Sequence, residues 1–446
     1  MRQAVAATVV LVAPDEVLSP GWVTFADGVV DEVGAGPPPS DAAVVARGDV
    51  VIPGLVSAHQ HTADLLVAGG PTGPTFLDWL LGTYHGGLAL AGPDDCAAAV
   101  AAVRAATLEG GVTTMVDCWS AGPVDDTVRD AECAHAALGA HRASGGRTLF
   151  AVMSNERPAP AWRMHALIDP ERLCRPVEDW LVEVGRLASI HHRSDGGRTL
   201  VTLSPELPET TSPAGLMAAW GLAGTLGTVL PIHLCASEAS RAAYGPAELE
   251  RDGLAEPGLL AAHHSTIDEA EAAALGAKGI GVAHCPRSSR ALGATRLTPV
   301  GELRRSGARC GLGLDNASLN PSRDLFAEAR AAIEASVVAE DPLRPADALA
   351  MLTAEGASAA GLGGVVGELR PGWRADLVVL DASGPHWWPR RATWDETVVM
   401  CATAADVRTV LVDGRVVVTG GVAVTRPDGP ALDRAAHRIA TEMGWR

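Results

Sequence analysis

Short apolar segments that end in polar residues recur along the middle of the chain, and Ala/Leu-rich stretches long enough for helices follow them. Alternating strands and helices of this kind are typical of parallel α/β folds. Eight such units within roughly 300 residues predict a (β/α)8 barrel over residues 55–364. The predicted barrel strands are 55–61, 112–117, 148–153, 199–204, 228–233, 259–263, 280–284 and 310–315.

Both ends of the chain show a different pattern, in which short apolar runs alternate with turn sequences. Residues 4–34 contain Pro-Gly and Asp-Gly turns, which are typical of antiparallel strands. Strand-like runs return after the barrel region. We therefore expect residues 1–54 and 365–426 to form one composite β-sandwich, with a helical tail at 427–446.

Composition and charge restrict the classes of partner. The 446 residues are 47% hydrophobic, and 35 basic against 53 acidic residues give a net charge of −18. That charge repels phosphate backbones and anionic lipids, so we expect a small-molecule substrate and neither nucleic-acid nor membrane binding. No apolar run reaches the roughly 18 residues of a membrane span. The eight cysteines form no C-x-x-C pair, which predicts reduced thiols in a cytoplasmic protein.

Polar residues end four of the predicted barrel strands. His59 and His61 end the first strand, His233 the fifth and His263 the sixth, and Asp315 ends the eighth. Residues i and i+2 of a strand face the same side, and the strand ends of a barrel meet at one mouth. Three imidazoles and a carboxylate suit Zn²⁺ or Fe²⁺. For any one of these residues alone, a hydrogen-bonded strand end or a helix cap remains the alternative.

Sequence motifs accompany these strand ends. They are PGLVSAHQH at 53–61, GGVTTMVD at 110–117, AHCPRS at 283–288, GLDNAS at 313–318 and GELRPGWRADLVVL at 367–380. With these motifs the chain resembles the amidohydrolase superfamily over nearly its whole length. The resemblance is to the branch that contains cytosine deaminase and the triazine hydrolases, together with guanine and S-adenosylhomocysteine deaminases.

The resemblance implies a ligand set and a reaction. His59, His61, His233 and Asp315 would ligate one divalent metal, Zn²⁺ in preference to Fe²⁺, which lowers the pKa of a bound water. Asp315 would also accept a proton from that water, and His263 would orient the water and the leaving group. The implied reaction is the hydrolytic displacement of ammonia or another leaving group from a small N-heterocycle.

The lysine content and the habits of the family add two expectations. Two-metal members of the superfamily often use a carboxylated lysine on the fourth strand. The only lysine here is Lys278, and the predicted fourth strand at 199–204 has none, so a single metal is favoured. Family members often assemble, and we therefore expect a dimer or a larger homo-oligomer.

The chain departs from the branch where a proton is normally moved. The branch usually places a glutamate three residues after the fifth-strand histidine, but this position is Ala236, which cannot transfer protons. Glu206 follows the fourth strand, where the branch more often has a histidine. We favour Glu206 as the replacement acid/base or as a substrate anchor. Glu238 is the alternative catalytic carboxylate, and Glu209 is a further candidate for substrate binding.

The departure also leaves other reactions open. A leaving group as good as chloride needs less acid catalysis than ammonia does. The alternatives are hydrolysis of a cyclic amide, amidine or imine, and a non-hydrolytic metal-binding homologue that catalyses a different step.

The substrate pocket is less clear from the sequence. Trp119 could stack on a flat heterocycle, with Trp79 and Trp162 as weaker candidates, and His284 could contact the substrate at the rim. We expect His264 to face the barrel wall, because adjacent strand residues point apart. The His191-His192 pair is expected on the solvated surface. The apolar, glycine-rich loop after the first strand argues against a highly charged substrate.

Overall fold

The computed structural model describes residues 2–73, 75–159, 161–162, 168–294, 296–390 and 393–445. The strands of this part are β1 (Gln3–Ala13), β2 (Glu16–Leu18), β3 (Gly21–Ala26), β4 (Val29–Ala35), β5 (Ala43–Pro53), β6 (Leu55–Gln60), β7 (Val112–Trp119), β8 (Arg147–Ser154), β9 (Thr199–Pro205), β10 (Leu230–Leu234), β11 (Leu259–His263), β12 (Gly281–His284), β13 (Arg309–Leu312), β14 (Leu377–Leu380), β15 (Val407–Val412), β16 (Arg415–Thr419) and β17 (Val422–Ala423).

Helices fill most of the segments between the barrel strands. The α-helices are α1 (Gly86–Leu88), α2 (Pro93–Glu109), α3 (Thr127–Ser144), α4 (Val177–His191), α5 (Ser194–Gly197), α6 (Pro213–Leu226), α7 (Glu238–Ala243), α8 (Pro246–Arg251), α9 (Glu269–Ala277), α10 (Pro286–Ala291), α11 (Val300–Arg305), α12 (Leu325–Val338), α13 (Pro345–Leu352), α14 (Ala354–Ala359), α15 (Trp394–Cys401) and α16 (Gly429–Glu442). A short 3-10 helix (Ala63–Val67) and a π-helix (Asp78–His85) lie between β6 and α1.

Local sequence signals set the ends of these helices. The Asp126 side chain accepts a hydrogen bond from the Arg129 amide at 3.0 Å and caps the start of α3, which ends at Gly145 with φ of 78°. Asp268 and Glu271 form a reciprocal capping box at the start of α9. Such caps satisfy backbone groups that have no partner inside the helix.

The chain ends form one sheet, as the sequence predicted. Its strand order is β17-β16-β15-β14-β5-β1-β3-β4, and β2 pairs with β1. β14 runs antiparallel to β5, and Leu377 lies opposite Pro53, immediately before the barrel begins. This sheet also encloses a small apolar core of its own that includes Val5, Val23 and Phe25.

Eight parallel strands form the barrel. They lie in two four-stranded sheets, β6-β7-β8-β9 and β10-β11-β12-β13. The Asp315 amide donates to the carbonyl of His59 at 3.0 Å, which joins the end of β13 to β6. On the opposite side, Thr202 Oγ1 donates to the carbonyl of Val229 at 3.1 Å, between β9 and β10. The fold is therefore α/β, a (β/α)8 barrel beside a β-sandwich built from both chain ends; the residue boundaries of the domains stay a prediction.

A buried cluster of ion pairs ties the barrel to the satellite sheet. Arg147, at the start of β8, lies 2.7 Å from Asp413 and 3.2 Å from Asp376, and Arg198 lies 3.1 Å from Asp413. All four side chains are buried. These contacts lie at the amino ends of β8 and β9, so the opposite mouth of the barrel is left for the functional site.

The C-terminal helix α16 packs beside the loop that follows β6. Gly70 and Gly87 lie so close to the Trp445 ring that a Cβ added at either position would approach it to 2.9 or 3.0 Å. The C-terminal residues therefore pack against the segment that contains the π-helix. Within the described residues, we find no helix that is both long enough and apolar enough to cross a membrane.

Candidate active site

The five predicted strand-end residues meet at one mouth of the barrel. His59 Nε2 and His61 Nε2 lie 3.4 and 3.5 Å from Asp315 Oδ1, and His61 Nε2 lies 3.3 Å from His233 Nε2. The His263 ring is centred 5.5 Å from that of His233 and 5.4 Å from that of His59. Each of the five side chains is at most 9% exposed. We call these five residues the histidine–aspartate cluster.

Backbone carbonyls fix the orientation of two rings in the cluster. His61 Nδ1 lies 2.7 Å from the carbonyl of Cys118, and His233 Nδ1 lies 2.6 Å from the carbonyl of Glu206. A carbonyl oxygen accepts only, so each Nδ1 must hold a proton, and in the neutral ring Nε2 then presents a lone pair.

These lone pairs make the cluster suitable for a cation. The Nε2 atoms of His61 and His233 lie 3.3 Å apart, so two lone pairs face each other there when both rings are neutral. Among the described residues, His59 Nε2 and Asp315 Oδ2 also have no hydrogen-bond partner. The ligand atoms of His59, His61 and His233 all lie within 4.8 Å of one another, as do those of His59, His263 and Asp315. Unpartnered buried acceptors in this arrangement suit a divalent cation.

The electrostatics of the cluster favour the same charge states. Burial lowers the pKa of His59, and burial together with the neighbouring imidazoles holds the pKa of His233 well below its usual range. Burial also lowers the pKa of His263 to about 4. Burial opposes ionisation of Asp315, but the adjacent histidines, above all His59, hold its pKa well below the ordinary value. Neutral imidazoles and an ionised carboxylate are the forms that bind metals.

Backbone geometry helps to bring the strand ends together. His263 and Asp315 have φ values of 78° and 57°, in the left-handed region that few non-glycine residues adopt. At Gly313, an added Cβ would lie 2.9 Å from the carbonyl of His59. The glycine of the GLDNAS motif therefore permits the close approach that places Asp315 beside His59.

A second layer of polar residues stands behind the cluster, and the sequence interpretation did not assign it. Thr62 Oγ1 donates to Asp117 Oδ2 at 2.7 Å, and His141 Nε2 lies 2.8 Å from the same oxygen. Asp117 is the last residue of the GGVTTMVD motif, and this motif was the sequence signal that could have identified it. Since Thr62 follows His61 directly, this contact holds the backbone of a cluster residue in place.

A mainly apolar pocket opens beside the cluster. Its wall includes Ala236, so the position where a glutamate was expected contributes only a methyl group. The polar groups of the wall outside the cluster are Glu206, Asn316 and the phenol of Tyr84. The apolar lining residues are Phe76, Trp79, Leu80, Met153, Leu207 and Leu292.

Glu206 is the predicted carboxylate that the structure brings to this pocket. His85 Nε2 lies 2.7 Å from Glu206 Oε1, and Asn155 Nδ2 donates to Glu206 Oε2 at 2.5 Å. Burial would raise the pKa of Glu206, but His85 and Asn155 outweigh it and hold that pKa below its ordinary value. The sequence interpretation missed His85 and Asn155, because no motif marks either residue.

The other two predicted carboxylates lie elsewhere. Glu238, at the start of α7, has a side chain that is 61% exposed and lies 3.8 Å from Arg296. The prediction that Glu238 acts as the catalytic carboxylate is therefore not supported by the structure. Glu209 does not line the pocket either. Burial raises the pKa of its carboxyl group to about 7.

Two residues that were predicted to contact the substrate, Trp119 and His284, also lie outside the pocket wall. Trp119 is buried in the core, where its ring stacks on Phe150 with centroids 5.3 Å apart. Its β7 position directs it between barrel and helices rather than towards the mouth. His284 is likewise buried outside the lining, and burial lowers its pKa to about 4. Of the other tryptophans, Trp79 lines the pocket and Trp162 does not.

The structure also shows where two further histidines, His264 and His191, are located. His264 is fully buried outside the pocket lining, as expected for a residue that faces the wall. The expectation of a solvated His191 is wrong. This side chain is buried between helices, and its Nε2 lies 2.8 Å from His135 Nδ1.

Comparisons with known proteins agree with this geometry. Residues 50–417 match the model of the amidohydrolase family. The chain is 32% identical to the 5-methylthioadenosine/S-adenosylhomocysteine deaminase of Desulforudis audaxviator, over 91% of this chain and 89% of that protein. It is 29% identical to the 5'-deoxyadenosine deaminase of Methanosarcina barkeri, over 98% of both chains.

Solved structures share the fold. An adenosine deaminase from Xanthomonas campestris with bound zinc has a TM-score of 0.82 at 24% identity, covering 99% of this chain and 98% of that one. Atrazine chlorohydrolase from Arthrobacter aurescens, in complex with zinc, has a TM-score of 0.81 at 21% identity over 99% of both chains. The family match, which covers most of the chain, and the shared architecture lead to one conclusion: this chain is an enzyme of the amidohydrolase family.

Proposed function

We propose that the protein is a metal-dependent hydrolase that displaces ammonia or another leaving group from a small N-heterocycle. The observation that supports this most is the convergence of four unpartnered or mutually facing acceptor groups at the mouth of an apolar pocket. Two of its relatives are deaminases by name, and deaminases act on C–N bonds of this kind. A cytoplasmic location and a homo-oligomeric state stay predictions.

His59, His61, His233 and Asp315 would hold the metal. Imidazole nitrogens with one carboxylate suit Zn²⁺, with Fe²⁺ as the alternative, and two structural neighbours are described with zinc. A divalent cation bound there supplies Lewis-acid activation of water at neutral pH. The contacts of His61 and His233 with carbonyls fix the tautomers that such binding needs.

Two residues of the cluster act on protons and orientation. Asp315 lines the pocket, and its Oδ2 is free to accept a proton from the attacking water. His263 also lines the pocket, and Thr298 Oγ1 donates to its carbonyl at 2.9 Å, which holds its strained backbone. In this scheme His263 orients the water and the leaving group.

The residues of the pocket wall determine whether a proton can be supplied to the leaving group. Ala236 provides no proton at the position where the branch usually has glutamate, and Glu206, which follows the neighbouring strand β9, lines the pocket instead. A leaving group that departs without strong acid catalysis is therefore an alternative to ammonia. Hydrolysis of a cyclic amide, amidine or imine uses the same cluster.

Metal analysis and product release test the proposal together. Purified protein should hold one equivalent of transition metal, and a panel of amino-substituted purines, pyrimidines, pterins and triazines should contain a substrate that releases ammonia. The panel includes 5-methylthioadenosine and 5'-deoxyadenosine, which the names of relatives suggest. A parallel search for chloride release covers the alternative leaving group.

A matched pair of variants assigns the activity to the cluster. His61→Ala should lose the metal and at least about 10³-fold of the activity, since the chemistry depends on the cation. His437→Ala removes an exposed histidine from α16 and should retain both. A protein that binds no transition metal, or a His61→Ala variant with full turnover, would reject the hydrolase proposal.

A further inference from the structure

The carboxylate of Glu206 is held at both of its oxygens. His85 Nε2 contacts Oε1 and Asn155 Nδ2 contacts Oε2, and all three residues are at most 5% exposed. Asn155 is fixed in turn, because Thr210 Oγ1 donates to its Oδ1 at 2.5 Å. Glu206 is therefore a rigid anionic acceptor rather than a mobile side chain.

This acceptor faces a pocket that is otherwise poor in charge. Apart from the cluster, Glu206 is the anionic member of the wall, and none of the lining residues, all within the described part of the chain, is Arg or Lys. Each carboxylate oxygen can accept a second hydrogen bond in addition to the one it already has. A buried charged acceptor that gains no donor from its ligand is costly, so a ligand that supplies N–H groups is favoured.

We propose that Glu206 is the specificity-determining anchor of this pocket and selects substrates that present an N–H donor edge, such as an amino-substituted ring or an amidine. His85 and Asn155 are positioning residues that hold the carboxylate towards the substrate. The apolar remainder of the substrate packs on the walls formed by Trp79, Leu80 and Met153. This inference rests on the proposed function for the location of the reacting carbon, but it concerns recognition and not the hydrolytic step.

The geometry also separates an anchor from a proton shuttle. A shuttle must turn between the attacking water and the leaving group, and a side chain bonded at both oxygens cannot turn without breaking these bonds. A fixed acceptor contributes the same hydrogen bond before and during the reaction. Its loss should therefore raise KM with little change in kcat, whereas loss of a shuttle lowers kcat by about 10²–10⁴-fold.

Binding of two probes of similar shape tests the anchor without requiring turnover. Benzamide has N–H donors on a planar aromatic frame, and acetophenone is a neutral molecule with nearly the same frame but without them. Calorimetry on the metal-containing protein should show benzamide binding at least about tenfold more tightly than acetophenone, as expected for a hydrogen bond to a charged group. Equal affinities in the wild-type protein would overturn the proposal, even if every variant failed to fold.

Substitutions then assign the preference to Glu206. In Glu206→Gln the ratio of the two affinities should fall to within about twofold. Glu238→Gln makes the same change of charge at an exposed side chain and should keep the wild-type ratio. His85→Phe should lower the ratio in part, because Glu206 keeps its charge but loses one support. A Glu206→Gln variant that is folded and retains the full preference would contradict the assignment.

Kinetics on any substrate from the ammonia panel complete the test. Glu206→Gln should raise KM at least about tenfold and leave kcat within about threefold. A collapse of kcat with unchanged KM would identify a shuttle and overturn the anchor. Absence of metal or of turnover in the wild-type protein would instead reject the proposed function, while the probe affinities would still decide the anchor.

Discussion

The Nε2 atoms of His61 and His233 face each other at 3.3 Å, and each ring has its Nδ1 proton committed to a backbone carbonyl. Two lone pairs at this separation repel unless a cation lies near both. A cation bound there would relieve this repulsion, so we expect metal binding to stabilise the native state.

Removal of the metal should destabilise the protein. A ligand that binds only the native state at about 1,000 times its Kd contributes about 4 kcal/mol. Dialysis against a chelator should therefore lower Tm by several degrees, and adding one equivalent of Zn²⁺ should restore it. Differential scanning calorimetry measures both steps. An unchanged Tm in a preparation shown to be metal-free would count against the cluster as a metal site.

The second layer should influence the affinity for the metal. Thr62→Val removes the hydroxyl that Asp117 accepts next to His61. Loss of such a supporting contact typically weakens metal binding by about 10- to 100-fold, and competition with a chromophoric chelator measures this. Thr107→Val is the matched control, since that hydroxyl bonds only within α2. If the two variants bind the metal with equal affinity, Thr62 does not support the metal site.

Buried neutral histidines should make the protein sensitive to acid. Burial lowers the pKa of His264 to about 3 and that of His284 to about 4, against 6.5 for the unfolded chain. Between pH 6.5 and 4 the unfolded state takes up protons that the native state does not. Stability is thus fully present above pH 6.5 and falls as the pH decreases, by up to about 1.4 kcal/mol per pH unit for each histidine.

Urea unfolding at pH 7.0 and at pH 5.0 measures this loss. His264→Phe removes one of the titrating groups and should show a smaller decrease in the free energy of unfolding between the two pH values than the wild type does. A decrease of the same size in both proteins would show that His264 does not contribute.

Restoring the missing glutamate should favour deamination. Ala236 lines the same pocket as Glu206 and the cluster, so we expect Ala236→Glu to place a carboxylate where it can protonate a departing amine. We expect ammonia release to increase at least about tenfold. Ala242→Glu adds the same charge on the exposed side of α7 and should leave the rate unchanged. A folded Ala236→Glu protein without any gain would show that proton delivery at this position does not limit the reaction.

Much of the fold was predictable because its signals are local. The eight barrel strands begin and end within a few residues of their predicted bounds, since each is an apolar run with a polar end. The convergence of His59, His61, His233, His263 and Asp315 followed from barrel topology alone, which brings strand ends to one mouth.

The pocket was less predictable because its residues come from loops. The π-helix, which ends at His85, turns this residue into the interior, and no periodic pattern marks that turn. Trp119 was expected to stack on a substrate because it follows a motif, but its packing on Phe150 depends on the neighbouring strand β8. The sequence favoured Glu206 over Glu238 as the pocket carboxylate, but only the folded structure shows that Glu206 is buried and Glu238 exposed.

The most direct test of the central claim is anomalous X-ray scattering at the zinc edge from crystals of the purified protein. The account predicts a single peak per chain within bonding distance of His59, His61, His233 and Asp315. Two peaks at the barrel mouth, or a single peak at any other group of residues, would contradict it.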